Sequence, residues 1–166
     1  LVSSAWPEGA CAMTTEECFE AAVQVENLMR DVYVRLADRY AAEAKLKEMF
    51  LHLAEEEEQH AHRIRLLART QLGGAWANAT ADRISRDLGT MSADLLKMVE
   101  DLEAEWDGAS ARDVLRRVME AENRCASIHA EELAASAEID VQMLFWSLSK
   151  QDVRHKELLQ RAIAAA

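Results

Sequence analysis

Apolar residues recur every third and fourth position along four long segments, and the pattern is interrupted by only a few polar residues. Steps of 4 and 3 from Leu46 give Phe50, Leu53, Glu57, His60, Ile64 and Leu67. The same steps from Val141 give Phe145, Leu148, Asp152, His155, Leu159 and Ala162. Such spacing keeps side chains on one buried stripe of an α-helix. A third stripe runs Phe19, Val23, Glu26, Met29, Tyr33, Leu36, Tyr40, and a fourth Leu115, Val118, Glu122, Cys125, His129, Leu133. Each of these carries one Glu in mid-stripe, followed by Asn.

Punctuation by Gly and Pro supports four helices and an accessory one. The only proline is Pro7, and the glycines are 9, 73, 74, 89 and 108. Thr14 and Glu17 read as a capping box opening the first helix, which should end near Tyr40. A second helix follows to about Thr70, and residues 71–91 form a long connection. Ser92 to Trp106 predicts the accessory helix, stopped by Asp107-Gly108. Ser110 with Asp113 caps a third helix to about Ser136, and a fourth runs from about Asp140 to the end. The plan is hairpin, long crossover, hairpin, with residues 1–13 a tail and 14–166 one domain. Met13 is a candidate start, with residues 1–12 a processed end or a remnant of expression.

The two hairpins match. Glu122 follows Glu26 by 96 residues and His155 follows His60 by 95, the mark of a duplicated unit. Stacking the copies brings Glu26, Glu57, His60, Glu122, Asp152 and His155 to one level of the interior. In the acidic run Glu55–Glu58 only Glu57 falls on the stripe; Glu55, Glu56 and Glu58 are expected in solvent, as are His52 and His62. Removing each carboxylate from water costs several kcal/mol, and four together repel. A domain stable by about 5–15 kcal/mol cannot carry that uncompensated. Two divalent cations supply the compensation, and oxygen with imidazole ligands suits iron or manganese, with zinc a possible substitute. The remaining option, a metal-free bundle with protonated carboxylates, leaves the duplicated pattern without a purpose.

Net charge is −11 over 166 residues, which argues against nucleic acid or an anionic membrane as partner. No apolar run reaches the roughly 18 residues of a membrane span, and no signal peptide is evident. Three cysteines without a C-x-x-C pair fit a reducing, cytoplasmic compartment.

One Glu from each of two helices and a Glu-x-x-His from each of the other two is the ligand pattern of ferritin-like di-iron proteins. Ala121-Glu122-Asn123, Glu26-Asn27 and the repeated F-x-x-L-x-x-x-[ED]-x-x-H resemble the rubrerythrin branch, over about residues 14–70 and 110–166. The resemblance implies an all-α, ferritin-like four-helix bundle holding two iron ions on the six residues above. It implies an oxidoreductase that reduces H2O2 or O2 as Fe2+ is oxidised, a peroxidase or a ferroxidase, with a homodimer or higher homo-oligomer as its state. By their own positions, Tyr33 and His129, each seven after a Glu of its stripe, are candidates to hydrogen-bond to the ligands from behind, His129 being alternatively a ligand or an ordinary core histidine. Cys125, one turn from Glu122, reads as a small buried residue, with a redox role the lesser alternative. Three departures stand out. Asp152 replaces the usual Glu, Cys125 takes the place of a further Glu, and no rubredoxin-type segment follows, so electrons would come from a separate donor protein or free Fe2+. A non-catalytic metal-binding or helical interaction module on the same scaffold is the alternative.

Overall fold

The structure is a computed structural model and describes residues 15–70, 89–100, 108–133 and 139–166. Every element among them is helical, with no strand. Helix α1 spans Thr15–Arg39 and α2 Ala44–Thr70; α3 is described over residues 89–100. Helix α4 runs Ala111–Ser127, continues as a π-helical segment Ile128–Leu133, and is followed by α5, Ile139–Ala165. No helix among the described residues is long and apolar enough to cross a membrane.

The link between α1 and α2 is only residues 40–43, tied by Glu43 N–H to Tyr40 C=O at 2.9 Å and Lys47 N–H to Glu43 C=O at 3.0 Å. So short a connection folds α2 back along α1. Helices α4 and α5 pack as the second pair, and α2 packs on α5 between the pairs. Helices α1 and α4 reach each other through long side chains, Tyr33 to Glu122 and Glu26 to His129. One hydrophobic core joins Phe19, Met29 and Leu36 of α1 with Phe50, Leu53 and Ile64 of α2, Val114 and Val118 of α4, and Phe145, Leu148 and Leu159 of α5. Helix α3 adds Met91 and Leu95 to it.

The buried face of α1 is wider than the predicted stripe. Ala22, Val25 and Val32 are fully buried while Val23 is only partly so, because α1 packs on α2 and also faces α4. The third helix also departs from expectation. It was expected to run as one α-helix to about Ser136, yet after Ser127 it widens into π turns that carry His129. Such turns concentrate at functional sites. Residues 134–138, Thr14 of the expected capping box and the connection over 71–88 lie outside the described residues.

At the start of α4 the capping is as its sequence suggests. Ser110 adopts extended backbone and its Oγ accepts from Asp113 N–H at 3.1 Å, while that Oγ–H donates to Asp113 Oδ2 at 2.6 Å. Replacing Ser110 by Ala should lower stability by about 1 kcal/mol, measured by urea unfolding, with an unchanged denaturant slope.

Candidate metal centre

Four helices each place acidic or imidazole groups at one depth of the core. Glu26 comes from α1, Glu57 and His60 from α2, Glu122 from α4, and Asp152 and His155 from α5; each is at most 2 % exposed. The two histidines turn Nδ1 inward. His60 Nδ1 lies 3.2 Å from Glu26 Oε2 and 3.1 Å from Glu57 Oε2. His155 Nδ1 lies 3.1 Å from Glu57 Oε1 and 3.3 Å from Glu122 Oε1. Their rings stack at 5.5 Å with only 10° between planes. Glu57 therefore serves both histidines, one oxygen each.

Two triads result, Glu26–Glu57–His60 and Glu57–Glu122–His155, and in each the ligand atoms lie within 4.8 Å of one another. The spacing suits a small divalent ion. Bonds of about 2.1 Å to nitrogen and oxygen at right angles separate neighbouring ligand atoms by about 3.0 Å, close to the 3.1–3.3 Å found here. A further observation fits the same group: Glu122 Oε2 and Glu26 Oε1 are buried without a well-formed hydrogen bond among the described residues, although buried acceptors are ordinarily satisfied. These carboxylates and imidazoles could hold two cations.

Asp152, expected among the ligands, belongs to neither triad. Its Oδ2 lies 2.8 Å from His129 Nδ1, and being one methylene shorter than Glu57 it does not reach between the histidines as Glu57 does. His129 in turn stands 2.9 Å from Glu26 Oε1 through Nε2. It is thus a buried link between two carboxylates, made possible by the π turns after α4. Tyr33 donates its O–H to Glu122 Oε1 and stacks on Phe50 at 6.1 Å, which holds that carboxylate from the α1 side. The Cys125 thiol lies 3.8 Å from Met91 Sδ of α3.

Burial is the largest single influence on each proton affinity, but neighbouring charges and hydrogen bonds reverse its direction at Glu26 and the histidines. Burial pushes Glu57 up to about 8, helped by Glu122 nearby and opposed by hydrogen bonds from both histidines. Burial would raise Glu26 as well, but the charge and hydrogen bonds of His129 and His60 outweigh it and hold Glu26 well below the usual carboxylate range. Burial lifts Asp152 despite His129 beside it. It would lower the imidazoles, yet carboxylates at hydrogen-bond distance raise His60 to about 10, His155 to about 12, and His129 well above its ordinary value. Without cations the cluster is neutralised by protons on its three histidines and on Glu57. The Tyr33 phenol and Cys125 thiol are also raised, by burial first and by the surrounding carboxylates next, so both stay neutral.

Two residues at the site escaped the sequence reading. Glu56, expected in solvent with Glu55 and Glu58, is only 24 % exposed at its side chain and its Oε2 lies 3.0 Å from His155 Nε2. Gln151 Oε1 lies 2.7 Å from His60 Nε2. A signal for both was present: each histidine is preceded four residues earlier by Glu or Gln, directly before the acidic ligand position (Glu56-Glu57-x-x-His60, Gln151-Asp152-x-x-His155). On the solvent side Glu56 meets the exposed His52 at 3.5 Å. Both line a cleft of about 500 Å³ with Arg154, Glu157 and Arg161, so His155 is one residue removed from water.

No family model, curated protein or solved structure matches this chain. The case for chemistry therefore rests on side-chain geometry.

The imidazole shifts fix the sign of a pH response. Both histidines bind their proton more tightly when folded, so this contribution to the ion-free fold is complete below about pH 6.5 and is lost as pH rises toward 10. A cation held here would need the bare Nδ1, so its binding should tighten over the same rise and release at least one proton per ion. Chelator-treated protein should become easier to unfold in urea between about pH 6.5 and about pH 8.5, whereas protein saturated with Mn2+ should not. Calorimetry in two buffers of different ionisation enthalpy counts the protons released.

Proposed function

We propose that the chain is a ferritin-like, rubrerythrin-type di-iron oxidoreductase that reduces H2O2 or O2 as Fe2+ is oxidised. One observation carries this reading: the two oxygens of Glu57 are shared between His60 and His155, and each pair is completed by a carboxylate from a different helix, Glu26 or Glu122. A single structural ion or an ordinary buried salt bridge needs no such doubling. The matched hairpins and their packing support a ferritin-like four-helix bundle as the architecture.

The residues have separable tasks. Glu57, Glu26, Glu122 and the two imidazoles would hold the ions, with four-helix burial excluding bulk water from the oxidant. When bound, an iron pair supplies two electrons, which with two protons convert H2O2 to two waters. Tyr33 orients Glu122 by its hydrogen bond. His129, held between Glu26 and Asp152, sets a fixed positive charge beside one ligand and restrains the loss of Glu26 from its place. A separate protein, or free Fe2+ itself, would return the electrons.

A second reading has an observation in its favour. Protons on three histidines and on Glu57 already offset the cluster's four carboxylates without a cation, which suits a module that binds metal for stability and does no redox work. The two readings separate in stopped-flow measurements. Protein loaded anaerobically with two Fe2+ per chain should oxidise on mixing with H2O2 or O2, and the faster of the two names the oxidant. Absence of oxidation with either, alongside a raised melting temperature, would leave only the non-catalytic module.

Sharing of Glu57 gives a sharper prediction on composition. Glu57→Gln, nearly isosteric, should remove both ions, whereas Glu26→Gln should remove one, counted by elemental analysis of dialysed protein. Equal losses from the two variants would contradict the bridging role.

A further inference from the structure

The two histidines are backed by unlike groups. His155 Nε2 faces a carboxylate, Glu56, at 3.0 Å; His60 Nε2 faces an amide oxygen, Gln151, at 2.7 Å. The arrangement is reciprocal across α2 and α5. Each backing residue lies four before the histidine of its own helix and reaches the histidine of the other. Arg63 settles which atom of Gln151 is involved. Its Nη1 donates to the same atom at 3.0 Å, and its Nη2 donates to Ser147 Oγ at 3.0 Å. Arginine only donates, so that atom is the carbonyl oxygen and His60 Nε2 must donate to it as well. Both imidazoles therefore carry hydrogen on Nε2 and offer Nδ1 to the cluster.

A carboxylate behind a ligating imidazole makes it a stronger donor to a cation. An amide oxygen does so less, and less again when an arginine already occupies it. The carboxylates that complete each triad differ in the same sense. Glu122 Oε2, beside His155, and Glu26 Oε1, beside His60, both lack a well-formed hydrogen bond among the described residues, but only the Glu26 oxygen has an imidazole nitrogen against it. Glu26, beside His60, has Oε1 2.9 Å from His129, whose other nitrogen faces Asp152 at 2.8 Å. His129 therefore already stands against a Glu26 oxygen that a cation at that triad would use.

We propose that the two positions load in order, the first divalent cation on Glu57, Glu122 and His155 and the second, more weakly, on Glu26, Glu57 and His60. Glu56 and Gln151 are the positioning residues that set the difference. The inference rests on the two-ion reading above and adds to it a division of labour: one position stays filled at limiting metal, and the other fills and empties.

Zn2+, which is redox-silent, tests this by binding alone. Histidine-15N-labelled, chelator-treated protein is titrated with Zn2+ while imidazole nitrogens are followed by NMR and heats by calorimetry against a competing chelator. The first equivalent should move His155 Nδ1 and leave His60 in place, the second should move His60, and the two Kd values should differ by about tenfold or more. Glu56→Gln should weaken the first step about 10- to 100-fold with the second little changed, and Gln151→Glu should tighten the second. Both rings shifting together with equal affinity, or His60 shifting first, would overturn the order while leaving two-ion binding intact. A failure to bind two Zn2+ would overturn the two-ion reading and the order with it. Should Glu56→Gln not fold, the order of shifts in the unaltered protein still decides.

Discussion

Everything in this molecule depends on neutralising negative charge in a dry interior. Glu26, Glu57, Glu122 and Asp152 lie within the core at 2 % exposure or less, where an unpaired carboxylate costs several kcal/mol. The chain meets that cost with three buried histidines in the same layer. Each is placed so that a ring nitrogen faces at least one carboxylate, and the proton affinities of all three rise in consequence. A cation and a proton are alternatives at His60 and His155, because both need Nδ1. The same arrangement that holds the ion-free protein together is the one that divalent ions would take over.

The duplicated hairpin makes this layer almost two-fold, with departures from symmetry at three pairs of equivalent positions. Glu57 and Asp152 are equivalent in sequence, but the loss of one methylene leaves Glu57 shared between the histidines and sends Asp152 to His129. Glu56 and Gln151 are likewise equivalent, and one is charged where the other is neutral. Tyr33 and His129 each stand seven residues after a Glu, yet the phenol meets the opposite hairpin's Glu122 and the imidazole the opposite hairpin's Glu26. The duplicated frame thus carries an uneven set of groups, with a third histidine, His129, beside Glu26 only.

Helix existence, the hairpin plan and the depth at which polar residues enter the core were all legible in periodicity, because a helical stripe converts spacing directly into burial. Glu57 could be picked from four consecutive acids on that basis alone. Glu56 could not, since one residue off the stripe points either to water or across to the neighbouring helix, and only the closeness of α5 decides between them. The fate of Asp152 was hidden for a similar reason: chain length of a side chain matters only once the distance it must cover is known. The end of α4 was missed because nothing in Ile128–Leu133 forbids an α-helix; packing of His129 against two carboxylates goes with the wider turn.

Sequence by itself thus determined the all-helical class, the repeated hairpin and which acids and imidazoles enter the interior, since these follow from local spacing and from what burial costs. Tertiary structure alone decided who pairs with whom. Glu57 became the carboxylate shared between His60 and His155, Asp152 the partner of His129, and Glu56 and Gln151 the crosswise partners of the histidines. Such pairings depend on ångström differences between helices that no single helix encodes, and hydrogen bonds and ion pairs discriminate at that scale.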